Sequence, residues 1–151
     1  MPIGIGEDHE ELRRTVRRWL ETRCPPEVPR ALLDADSEPL PAFWDDLAGQ
    51  GWLGIHVPEE YGGQGFGLME LAVVVEELAR AVAPGPVLPT MLAAAVLAGS
   101  SDPADGKELL PALVDGSAPA VVALPGSGAL TAVVGADGAL TLTGPRRPHA
   151  S

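Results

Sequence analysis

The stretch Trp44-Asp45-Asp46-Leu47-Ala48-Gly49-Gln50-Gly51-Trp52-Leu53-Gly54-Ile55-His56-Val57-Pro58-Glu59-Glu60-Tyr61-Gly62-Gly63-Gln64-Gly65-Phe66-Gly67 sets the fold. It opens as a short helix, predicted over 41–49: Leu40, Trp44, Leu47 and Ala48 repeat at helical spacing, Pro41 suits a first turn, and Gly49 and Gly51 close the run. Between Gly51 and Gly67 stand six glycines and Pro58 with only brief apolar runs, the composition of a structured bend. A long helix is predicted over 67–82. Leu68, Leu71, Ala72, Val75, Leu78, Ala79 and Val82 form its apolar stripe. Val73 and Val74 are apolar too, so the polar face shrinks to Glu70, Glu76, Glu77 and Arg80 and the helix should be buried on most sides. Glu76 and Arg80, at i,i+4, are an expected ion pair.

Upstream, Leu12, Val16, Trp19 and Leu20 make one stripe of a helix over 8–22, with Asp8 and Glu11 as a capping pattern and Cys24-Pro25-Pro26 as its stop. Downstream, 87–98 is apolar almost throughout and reads as a central helix. Asp102-Pro103 should open a fifth helix using Leu109, Leu110, Leu113 and Val114, which Pro111 kinks or ends early. The pattern then changes. Three runs rich in Val, Leu and Thr, 120–124, 130–134 and 139–143, are expected strands, with Asp137-Gly138 a hairpin turn and an unpaired edge left over. The fold class is therefore α+β, mainly α: about five helices over 1–116, then an incomplete antiparallel β segment over 117–151.

The 151 residues carry 21 acidic and 10 basic groups, a formal charge of −11 that disfavours nucleic acid and anionic lipid as partners. The acids concentrate early, sixteen of them before Pro84. One cysteine, Cys24, permits no internal disulfide, no apolar run reaches the ~20 residues of a membrane span, and the amino terminus lacks a basic signal region. A cytoplasmic location is expected.

Chemistry is sparse. Gly62-Gly63-Gln64-Gly65-Phe66-Gly67 precedes a helix, as a phosphate loop would, but its spacing is not G-x-G-x-x-G, no lysine follows, and Glu59 and Glu60 would repel phosphate. A structural turn is the better reading. His9, His56, His149 and Cys24 show no metal-ligand spacing, so no metal is expected. Glu76 and Glu77 point about 100° apart on their helix and cannot clamp one atom. No nucleophile elbow or Ser-His-Asp set is present, so no catalytic residue is nominated. Thr90, Met91 and Ala94 could line a pocket for a hydrophobic ligand, although plain core is the commoner role of such residues.

Trp44 to Ile55, Val57-Pro58-Glu59-Glu60-Tyr61-Gly62-Gly63-Gln64-Gly65 and Val75-Glu76-Glu77-Leu78-Ala79-Arg80 together resemble the amino-terminal helical domain of the acyl-CoA dehydrogenase family, in order and spacing. The resemblance continues through Lys107 to Leu113 and more loosely to 147. It implies a helical domain, a middle β domain and a carboxy-terminal bundle, with FAD oxidising the Cα–Cβ bond of an acyl-CoA. The base of that reaction belongs to the carboxy-terminal bundle, and no residue of this chain maps to it. By the same resemblance Val87, Thr90, Met91 and Ala94 are candidate substrate-lining residues.

Two departures bear on the cofactor. Where the family's first β strand carries a flavin-facing hydroxyl and a turn serine, this chain has Val122-Ala123 and Ala129, each alanine losing a hydrogen bond worth ~1 kcal/mol. The match also ends before the family's remaining flavin strands. FAD binding by this chain alone is not expected. The short Ala83–Thr90 connection is similar to the bacterial subfamily acting on sterol side chains and other bulky acyl-CoAs, some members of which are heterotetramers. The resemblance thus implies a truncated dehydrogenase, inactive alone, and a homo- or hetero-oligomer; the rivals are a non-catalytic partner subunit of a heteromeric dehydrogenase and a stand-alone acyl-binding module.

Overall fold

The computed structural model describes residues 6–37, 39–101, 106–122, 131–134 and 140–144. It divides into two compact units, Met1–Val121 and Val122–Ser151.

In the first unit, α1 (Glu7–Arg23) presents Val16 and Leu20 to the core, with Leu12 and Trp19 packed beside them. Its N-cap is Gly6, whose N–H donates to His9 Nδ1 at 3.0 Å. Asp8 therefore lies in the first turn, where the helix dipole favours it, and does not cap. The prolines end α1 as expected, but a one-turn helix, α2 (Glu27–Arg30), follows them. Four residues are too few to leave a periodic signal, so the described residues hold six α-helices and not five.

The third helix, α3 (Trp44–Gly49), starts later than predicted because Pro41 belongs to a turn closed by Trp44 N–H to Pro41 O at 2.9 Å. Phe43 takes the buried place and Leu40 is exposed. The bend then runs through a 3-10 turn, Glu59–Tyr61, which Gly62 ends in the left-handed region at φ 86°. From it rises α4 (Leu68–Arg80), whose Gly67 N–H is accepted by Glu70 Oε2 at 2.9 Å.

The buried face of α4 is Leu71, Val73, Val74, Glu77 and Leu78; Leu68, Ala72, Ala79 and Val82, assigned above to the stripe, are exposed. The face is rotated because α1 packs along the side that carries Glu70 and Glu77. The predicted Glu76–Arg80 pair is also replaced. Arg13 Nη2 reaches Glu76 Oε2 at 2.9 Å, while Arg80 Nε lies 4.0 Å from Glu77 Oε2.

Next come α5 (Val87–Gly99) and α6 (Leu110–Val114), which pack together. Pro111 falls in the first turn of α6, where its missing donor costs nothing, so it neither kinks nor ends the helix. A single 3-10 turn, Lys107–Leu109, leads in; Asp102 and Pro103, the expected cap, lie outside the described residues. The helix α5 is less central than its composition suggests: Leu88, Leu92 and Val96 are each about half exposed or more. Beyond α6, Trp44 Nε1 donates to Gly116 O at 2.8 Å, fastening the end of the unit to α3.

Residues 120–122 form no strand. Ala120 N–H donates instead to Thr90 Oγ1 at 3.2 Å, which removes that amide from any ladder. Ala123 and Leu124, the rest of the expected strand, lie outside the described residues, as does the Asp137-Gly138 turn. In the second unit β1 (Thr131–Val134) and β2 (Leu140–Thr143) pair antiparallel, with Thr131 opposite Thr143 and Val134 opposite Leu140.

Candidate functional site

The glycine bend is scaffolding. Gly62 N–H donates to Glu59 O, Gly63 to Pro58 O, Gln64 to Gly54 O, Gly65 to Val57 O and Phe66 to Ile55 O, and Gly67 is held by Glu70. Every amide from Gly62 to Gly67 is thus engaged inside the chain.

Ion pairs hold α1 to α4. Glu77, only 2% exposed, accepts Arg17 Nε at 2.8 Å and Arg17 Nη2 at 2.7 Å, with Arg13 Nε at 3.6 Å. The Arg17 hydrogen bonds hold its carboxyl below the usual carboxylate range against the opposing pull of burial. At the other end of the same interface, His9 Nδ1 accepts from Gly6, so Nε2 carries the proton and donates to Glu70 Oε1 at 2.9 Å. Glu70 is lowered first by its own backbone amide and further by Gly67 and His9. These groups have structural partners, and among the described residues no three His, Cys, Asp or Glu side chains gather as a metal site.

His56, in the bend, differs. Both ring nitrogens are out of water without a hydrogen-bond partner, and burial pushes its pKa below 6.5, keeping it neutral. In acid the unfolded chain takes up a proton that the folded one resists. Stability should therefore fall as pH drops below about 6.5 toward the folded-state value. Urea unfolding between pH 7.5 and 5.5 checks this, a His56→Asn variant being expected to show a flatter dependence.

An apolar cleft of about 270 Å³ lies between the end of α4 and the start of α5. Leu78, Val87 and Met91 form its well-buried side, while Val82 and Leu88 stand exposed at its rim. Of the four candidates for lining a substrate site, Val87 and Met91 lie on this cleft. Thr90 and Ala94 do not line it, and Thr90 Oγ1 is bonded to the Ala120 backbone. Val82 and Leu88 were missed as candidates, although their apolar type at the two helix ends flanking Pro84-Gly85-Pro86 was a usable signal. Of the three flavin-strand positions, Val122 is half-buried and in no strand, and Ala123 and Ala129 lie outside the described residues, as does His149. Among the described residues no helix is long and apolar enough to cross a membrane.

The first unit is thus a helical domain with a glycine-locked bend and an apolar cleft between two of its helices. The chain belongs to the acyl-CoA dehydrogenase family: residues 6–117 match the family model described as acyl-CoA dehydrogenase, N-terminal domain. It is 40% identical over 90 residues to the acyl-CoA dehydrogenase IpdE2 of Mycolicibacterium smegmatis, covering 59% of this chain and 29% of that protein. It is 36% identical over 78 residues to mitochondrial isovaleryl-CoA dehydrogenase of Pongo abelii, covering 52% and 18%. Among solved structures, the ChsE4-ChsE5 complex from Mycobacterium tuberculosis matches with a TM-score of 0.73 at 28% identity, covering 95% of this chain and 40% of that one. The chain thus spans less than half the length of each of these relatives.

Proposed function

We propose that this chain is the amino-terminal part of an FAD-dependent acyl-CoA dehydrogenase, residues 1–116 forming its helical domain and 117–151 the beginning of its middle β domain. The α4–α5 cleft carries this reading. It is an apolar groove open at one side, suited to one wall of an acyl cavity, with Val87 and Met91 as acyl contacts and Thr90 and Ala94 bracing them from behind. In the family FAD accepts the β hydrogen while a carboxylate takes the α proton, and no residue of this chain is assigned to either step. The described residues do not fit a self-contained flavin site. The amides of the bend are already bonded, and so is the Thr90 hydroxyl. On this reading the chain is inactive alone, and a cytoplasmic location goes with the role.

The expected result with purified protein is no stoichiometric flavin absorption and no acyl-CoA-dependent reduction of an electron acceptor. Methyl NMR signals of Val87 and Met91 should nevertheless move on titration with octanoyl-CoA. Stoichiometric flavin with turnover would overturn the inactivity; unmoved cleft methyls would overturn the acyl wall.

The exposed Leu88, Leu92 and Val96 favour one second reading, a non-catalytic subunit completed by a longer dehydrogenase chain acting on sterol-type or other bulky acyl-CoAs. The likeness to a chain of a two-protein complex supports it. Co-expression with such a chain should then yield a stable, flavin-containing complex, and recovery of the two chains separately would remove this alternative.

A further inference from the structure

Val82 has φ 50°, the one positive φ at a residue other than glycine among the described residues. A β-branched side chain is rarely found in that region, because its Cβ crowds the neighbouring carbonyl. The backbone reason for the conformation is plain: α4 ends with Val82 N–H donating to Ala79 O and Ala83 N–H to Leu78 O, both at 3.0 Å. Glycine would make the same closing turn without strain. Core packing does not account for the valine either, since it is 67% exposed. Its isopropyl group stands at the rim of the α4–α5 cleft, above a floor that includes Met91, 0% exposed, and Val87, 4% exposed.

We infer that Val82 is a specificity-determining residue of this cleft, its strained backbone retained because the side chain narrows the mouth and limits the girth of the acyl group that enters. This rests on the acyl-wall role proposed above. Strain held at a position that neither packs the core nor needs a side chain to close its turn is the pattern of a functional constraint. Selectivity here is a ratio of two affinities, one for a slim chain and one for a broad one.

The test is a methyl NMR titration of the whole chain and of V82A and V82G, with octanoyl-CoA as the slim probe and cyclohexanecarbonyl-CoA as the broad one. In both variants the ratio of dissociation constants should shift at least threefold toward the ring compound. V82G should also melt about 2–4 °C higher than wild type, relief of strain outweighing the added freedom of glycine in the unfolded chain. An unchanged ratio with binding intact overturns the inference and leaves the acyl wall standing, as does a V82G protein that melts no higher. If neither probe moves the Val87 and Met91 methyls of the wild-type chain, the acyl wall fails and the inference with it.

Discussion

A Gly63→Ala variant is expected to lose about 4 kcal/mol of unfolding free energy, enough to leave much of a marginally stable chain unfolded. The backbone of Gly63 passes so near Val57 that an added Cβ would be driven into the Val57 carbonyl oxygen and would stand 2.6 Å from Val57 Cβ. Neither obstacle is the far end of a flexible side chain, so the backbone itself must shift. That shift breaks the bonds that close the bend, Gly63 to Pro58, Gly65 to Val57 and Gln64 to Gly54. Gly62→Ala is the control. There φ is 86° but open space surrounds the site, so only the dihedral penalty of about 1 kcal/mol applies. Urea unfolding followed by circular dichroism separates the two; equal losses would mean that close approach does not shape the bend.

Replacing Glu77 with alanine is expected to cost about 2–3 kcal/mol at neutral pH. Removing one partner of a buried ion pair costs ~3–5 kcal/mol. The lower figure applies because Arg17, 47% exposed, can turn toward water. Arg13, 16% exposed, retains Glu10 at 2.6 Å and Glu76 at 2.9 Å. The pH dependence gives a second check. Glu77 has a folded pKa below its ordinary 4.5, so the unfolded state binds more protons between the two values. The stabilisation is complete above the unfolded value and is lost as pH falls through the folded one. The gap between wild type and Glu77→Gln in urea midpoint should therefore narrow from pH 7 to pH 3.5, and a constant gap would count against the ion pair as its source.

The sequence conveyed the longer helices of the first unit, because residues such as Leu12, Val16, Trp19 and Leu20 repeat at a period fixed by α-helical geometry, and it conveyed the family through the stretches 44–55, 57–65 and 75–80, but the four-residue α2 left no signal. It did not convey which side of α4 would be covered. The apolar residues of that helix run wider than one stripe and leave only a narrow polar face, so more than one side could be covered, and the buried face was decided by α1 arriving with Arg13 and Arg17 to meet Glu77. For the same reason Glu76–Arg80 failed as a pair: local spacing lost to a partner sixty-three residues away. Pro111 was misjudged because a helix start cannot be located when the residues before it carry no periodic pattern. At the cleft, Met91 was nominated by residue type and Val87 through the family resemblance, and both lie on its lining, whereas Thr90 does not. Its hydroxyl is committed to Ala120, a contact no local pattern announces.

The α1–α4 fastening has a consequence for how the chain is made. The first helix leaves the ribosome with Arg17 unmatched and its apolar side bare, and Glu77 is synthesised sixty residues later. At ordinary translation speeds that interval is roughly 3–12 s, longer than any helix takes to form. For that time Arg17 lacks its carboxylate, while Trp19 and Arg23 can already meet Phe43, Trp52 and Asp46. Closure of this ion pair is available only once α4 has emerged, so α1 is fully secured no earlier than a helix made some sixty residues after it.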